Sequence, residues 1–143
     1  MRITAKLATG VLLTAAAFVP LGGAAQAAPA TPGPGPLGPT ALTLTVAQGD
    51  SAATTVPERA VTLTCAPQPG GTHPDAAAAC RQLRAAEGDF GSLNDPDGTF
   101  CPMHYDPVVV TAQGVWDGRR VSHEHTYGNA CVKNAEGGAV FAF

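Results

Sequence analysis

The residues best placed to act on a partner are Phe100, Cys101, Pro102, Met103, His104, Tyr105, Asp106 and Pro107, in one run. Each proline fixes its own φ at about −65° and pushes the residue before it toward extended backbone. Met103 is unbranched and apolar, yet it sits between Pro102 and a polar His-Tyr-Asp run. That context favours exposure over burial. If Cys101 is bridged, the segment is an exposed, extended loop pinned at its base. A protease accepts a substrate in that shape, and a segment unable to leave it would block the enzyme instead.

Other residues that could do chemistry point elsewhere less well. His123 and His125 lie two apart on a predicted strand with Glu124 between them, but no third metal ligand is evident. No cysteine spacing is the C-x2–4-C of a zinc site. The acidic stretch from Asp89 to Asp97 lacks the calcium-loop spacing. His73 reads as a helix-start residue rather than a base, and Trp116 as packing or a dimer contact. No serine or cysteine nucleophile has an evident base partner, so a small enzyme is the weakest reading. A binding module that merely uses the Met103 loop as a contact surface stands between. No cofactor and no metal is expected.

The loop must be held by cysteines and by strands. Cys65, Cys80, Cys101 and Cys131 make an even count, which in a small exported domain reads as a disulfide framework. Three pairings are possible. Cys65–Cys80 with Cys101–Cys131 is preferred, because the first closes a local loop and the second ties the Pro-Met segment to a distant part of the chain. The first bridge is worth roughly 3 kcal/mol in the chain-entropy model.

Leu42, Leu44 and Val46 alternate with Thr43, Thr45 and Ala47, and Ala60 to Cys65 repeats that period of two. Thr72-His73-Pro74-Asp75 predicts a helix start, with Thr72 or His73 as cap and Gly88 as the stop. A short turn is expected around Ser92-Leu93. Asn94-Asp95-Pro96-Asp97-Gly98 is a turn leading into the Met103 loop. Val108–Thr111 should be a strand leaving that loop. Gln113-Gly114 and Asp117-Gly118 read as turns around Val115-Trp116. Arg119 to Tyr127 alternates again, with Val121, His123, His125 and Tyr127 on one face. Ala139–Phe143 predicts a last strand. The sum is α+β, about five sequential strands and one or two helices, with an antiparallel sheet.

The start of the chain reads as a leader. Arg2 and Lys6 precede an apolar run from Leu7 to Leu21, and Ala25-Gln26-Ala27 is an A-x-A cleavage site. Residues 1–27 are therefore expected to be a secretory signal peptide and residues 28–40 a Pro/Gly-rich flexible tail. Residues 41–143 would be the working domain. The formal net charge of −3 becomes more negative once Arg2 and Lys6 are removed. That argues against nucleic acid or an anionic membrane as partner.

Several long blocks carry a family resemblance. They are Pro57–Pro67, Gly71–Pro74, Cys101–Val108, Gly114–Gly118 and Val140–Phe143. Together they resemble the Streptomyces subtilisin inhibitor family of secreted serine-protease inhibitors. The resemblance implies a five-stranded antiparallel sheet with two helices, bridged Cys65–Cys80 and Cys101–Cys131. It also implies a homodimer associating through the sheet, and extracellular subtilisin-like serine proteases as partners. The reactive bond would be Met103–His104, with Met103 entering the enzyme's S1 pocket. Cys101 and Pro102 would line the preceding subsites and Tyr105 and Asp106 the following ones, with Phe100 at the edge of the contact.

Overall fold

A computed structural model describes residues 38–93 and 99–143. The expected leader, most of the Pro/Gly-rich stretch and the turn expected at residues 94–98 lie outside the described residues.

Five strands form one antiparallel sheet: β1 (Ala41–Gln48), β2 (Arg59–Thr64), β3 (Gly70–Gly71), β4 (Val108–Trp116) and β5 (Arg119–Tyr127). Their order across the sheet is β3-β2-β1-β4-β5. The period-two pattern of the sequence sets the register. Leu44 stands opposite Val61 on one side and Ala112 on the other. Leu42, Leu44, Leu63, Val110 and Ala112 are thereby buried on one face. Helix α1 (Ala76–Ala85) adds Ala79, Cys80 and Leu83 to that core, and Phe90, Val140 and Phe141 close it. Burying each such aliphatic or aromatic side chain contributes roughly 1.5–3 kcal/mol. The Cys65–Cys80 bridge ties the end of β2 to α1 inside this core.

Local chemistry explains where the elements begin and end. The cap of α1 is Asp75, whose carboxylate accepts from the Ala78 N–H at 2.9 Å, rather than Thr72 or His73. A carboxylate also suits the positive end of the helix dipole. Thr72 instead makes reciprocal bonds with Thr62 beside β3. His73 is buried, taking the Asp75 N–H on Nδ1 and facing the Val140 carbonyl with Nε2. The helix ends at Ala85 with Ala86 as its cap, three residues before the expected Gly88, whose N–H still reaches back to the Leu83 carbonyl. A side chain at Gly88 would collide with the Trp116 indole, so this glycine also lets Trp116 pack.

Two expectations about strands are corrected. Gln113-Gly114 is not a turn: both lie within β4, and Gly114 permits close approach of the Ala41 carbonyl of β1. Asp117-Gly118 is the true hairpin turn, with both residues at positive φ as a type I′ turn requires. The C-terminal residues do not form a strand. Helix α2 (Ala130–Gly137) runs into a 3-10 turn over Gly138–Phe141. Val140 and Phe141 are both buried in the core that α1 shares with the sheet, without pairing to a strand. Side chains supply the bonds a neighbouring strand would have made. Gln82 accepts from the Val140 N–H, His73 bonds its carbonyl, and Lys133 Nζ donates to the Phe141 carbonyl at 2.6 Å. The five strands thus include the short β3 and exclude the C-terminus.

Candidate functional site

The chain between residue 99 and the start of β4 at Val108 carries no helix or strand, and it rises from one end of the sheet. Phe100, Met103 and Tyr105 are exposed, Met103 at 99 %. A lone exposed methionine is unremarkable, but three large apolar side chains on a short loop are an interaction surface. The loop presents a protrusion. A groove of about 470 Å³ lined by Arg84, Trp116 and Arg119 lies at the opposite end of β4 and β5, away from it.

Anchors hold the loop on both sides of Met103–His104. On the N-terminal side Cys101 is bridged to Cys131 in α2. On the C-terminal side the Asp106 N–H donates to the Gly128 carbonyl at 2.9 Å. The Asp106 carboxylate accepts from Gln48 Nε2 at 2.6 Å, and the Pro107 carbonyl accepts from the Gly49 N–H at 2.8 Å. Tyr105 donates its hydroxyl to the Asp50 carboxylate, which raises the phenol pKa.

Asn129 joins the two sides. Its Nδ2 donates to the Pro102 carbonyl at 2.9 Å and to the His104 carbonyl at 3.0 Å, straddling the Met103–His104 bond. Its Oδ1 accepts from the Val132 N–H and so caps α2. An amide is required for both tasks, because one end must donate and the other accept. The same short helix carries Cys131, so the bridge and the amide hold the loop from one rigid element. Asn129 was not singled out from the sequence. Its only local signal is an Asn three residues ahead of a helical N–H; its loop partners lie 25 and 27 residues away.

The other candidates fall outside this arrangement. His123 and His125 stack on β5 with ring centroids 6.3 Å apart, and His123 also stacks on Phe90. Burial, then the neighbouring His125, lowers the His123 pKa, with Asp89 opposing. Glu124 turns to another task, accepting from the Ala52 N–H at 3.0 Å. Trp116 packs on Gly88. Among the described residues, no helix is long and apolar enough to cross a membrane.

A family model described as subtilisin inhibitor-like matches residues 38–129. The chain is 56% identical over 144 aligned residues to a subtilase-type protease inhibitor of Streptomyces coelicolor, covering 100% of both chains. It is 54% identical over 144 aligned residues to a trypsin inhibitor of Streptomyces longisporus, again covering 100% of both. Among solved structures it resembles Streptomyces caespitosus sermetstatin in a crystal structure with Bacillus licheniformis subtilisin. That match has a TM-score of 0.66 and 46% identity, and covers 74% of this chain and 100% of the other.

Proposed function

The chain belongs to the subtilisin inhibitor-like family, and from that premise we propose that it inhibits subtilisin-like serine proteases through Met103–His104. It is an inhibitor and not an enzyme. The observation that carries the reading is the Asn129 amide bonded to carbonyls on both sides of that bond, beneath a fully exposed Met103.

The protease brings the chemistry: a serine activated by histidine attacks a carbonyl, and the oxyanion hole stabilises the charge that develops. The inhibitor brings a side chain for the S1 pocket and a backbone already ordered. Ordering a free loop would cost about 0.5–1.5 kcal/mol per immobilised side chain. Here the Cys101–Cys131 bridge, Asn129, Gln48 and Gly49 have met that cost before the enzyme arrives. Attack by the serine hydroxyl on the Met103 carbonyl gives an acyl-enzyme and frees the His104 amine. The bridge and Asn129 keep that amine next to the acyl carbon, so religation outruns release.

Met103 supplies a flexible apolar side chain for a broad S1 pocket. It offers no charge to an acidic trypsin-type pocket. The Streptomyces longisporus relative shares over half its residues with this chain and is a trypsin inhibitor, which fits a scaffold whose target follows from the loop. Phe100, Cys101 and Pro102 would contact the enzyme before the bond, and Tyr105 and Asp106 after it.

The same reading makes residues 1–27 a signal peptide, residues 28–40 a flexible tail and residues 41–143 the secreted inhibitor domain. It makes the molecule a homodimer through the sheet, whose uncovered face carries Thr43 and Gln113. Titrating a fixed amount of active subtilisin with the mature protein tests the core of it. Residual activity should fall linearly to zero near one chain per enzyme, and sequencing any cut form should find a new N-terminus at His104. Undiminished activity with the chain degraded would refute the reading.

A further inference from the structure

The loop between β1 and β2 touches the reactive segment at more than one point, and its own bonding makes it a shelf. The Gly49 N–H donates to the Pro107 carbonyl at 2.8 Å. The Asp50 carbonyl accepts from Thr126 Oγ1 at 2.8 Å, and the Ala52 N–H donates to Glu124 Oε1 at 3.0 Å, both partners on β5. Thr55 Oγ1 closes the turn on the Ser51 carbonyl at 2.7 Å. The Asp50 side chain reaches from this shelf toward the reactive segment, where it accepts the Tyr105 hydroxyl. Tyr105 is nevertheless 72% exposed, so its ring is fixed at the tip while its surface stays open to a partner.

Resting on the assignment of Met103–His104 as the reactive bond, we infer that Asp50 is a positioning residue for inhibition. It pins the Tyr105 ring, two residues beyond Met103, in the orientation a protease meets. The anchors at Asp106 and Pro107 fix the backbone after the bond but leave the Tyr105 side chain free to rotate. The bond from its hydroxyl to Asp50 removes that freedom in the unbound inhibitor. A rigid aromatic contributes contact area without an ordering cost on binding. β5 thus reaches the enzyme contact in steps: Glu124 and Thr126 hold the shelf, the shelf carries Asp50, and Asp50 holds Tyr105.

The test uses the full chain as wild type, Asp50→Ala, Asp50→Asn, Tyr105→Phe and Asp50→Ala with Tyr105→Phe. Inhibition constants against subtilisin are measured with melting temperatures alongside. Asp50→Ala and Tyr105→Phe should each weaken inhibition roughly three- to tenfold, the effect of freeing one side chain. The double variant should be no weaker than either single one. Asp50→Asn keeps an acceptor oxygen and should restore most of the loss. Melting temperatures should be unchanged, and in Asp50→Ala one phenol should ionise at lower pH by absorbance. Losses that simply multiply in the double variant would overturn the inference. So would wild-type inhibition by Asp50→Ala. A wild-type chain that leaves subtilisin active would overturn the proposed function as well, which separates the two failures.

Discussion

The two disulfides do different work in the two regions they serve. Cys65 and Cys80 are both buried at 1% exposure or less and join elements that already pack through Leu63 and Leu83. Cys101 holds a loop whose neighbours Phe100, Pro102 and Met103 are all exposed. Packing cannot order a segment that must remain in solvent for its partner. At the loop, a bridge, an amide and a few backbone bonds replace a hydrophobic core. Stability and inhibition should therefore be separable, each lost by breaking a different bridge.

The largest effect is expected at the loop. Replacing Cys101 and Cys131 by Ser frees several side chains at about 0.5–1.5 kcal/mol each on binding. Inhibition of subtilisin should weaken roughly a hundredfold or more, and the variant should become a substrate cut at Met103–His104. A progress curve of intact chain against time distinguishes the two behaviours. The core bridge should behave oppositely. Cys65→Ala with Cys80→Ala should cost roughly 3 kcal/mol of unfolding free energy in denaturant. Its inhibition constant should stay near wild type wherever the variant remains folded. A matched loss of inhibition in both double variants would erase the contrast.

Asn129 sharpens the comparison because it belongs to both regions. Asn129→Ala should lose the α2 cap, about 1 kcal/mol of stability, together with both bonds to the loop. Asn129→Asp keeps an oxygen for the Val132 N–H but cannot donate to the Pro102 and His104 carbonyls. It should retain most of the stability and still weaken inhibition roughly thirtyfold, at about 1 kcal/mol for each of the two lost bonds. Equal inhibition by Asn129→Asp and wild type would show that the amide serves only the helix.

The smallest effect lies on β5. His123 has its pKa lowered, first by burial, then by His125. The unfolded chain therefore binds the proton first as pH falls, beginning near the ordinary value of about 6.5. The stability that the neutral ring contributes is complete above that pH and is lost as pH falls toward the folded value. His123→Gln should flatten this part of the stability-versus-pH curve and leave inhibition at neutral pH unchanged. An unaltered curve would assign the acid sensitivity to another group.

What the sequence revealed and what it hid divide along the same line. The alternation of Leu42, Leu44 and Val46 announces β1, and Asp117-Gly118 announces the β4–β5 hairpin, because both signals are local. Prolines flanking Met103 mark the loop for the same reason. Gly114 looked like a turn because its reason for being glycine, the Ala41 carbonyl, sits on another strand. Val140 and Phe141 looked like a strand because the side chains that satisfy their backbone come from His73, Gln82 and Lys133. Asn129 and Asp50 were silent, since each acts on the loop through a partner at least 25 residues away. Residue types show what the loop offers, and only the fold shows what holds it still.

The most direct test of the central claim is Met103→Lys, assayed against trypsin and subtilisin. If Met103 fills the S1 pocket from a fixed loop, the lysine variant should gain tight, stoichiometric trypsin inhibition with its melting temperature unchanged. A folded variant with no gain against trypsin would contradict the assignment of Met103–His104 as the reactive bond.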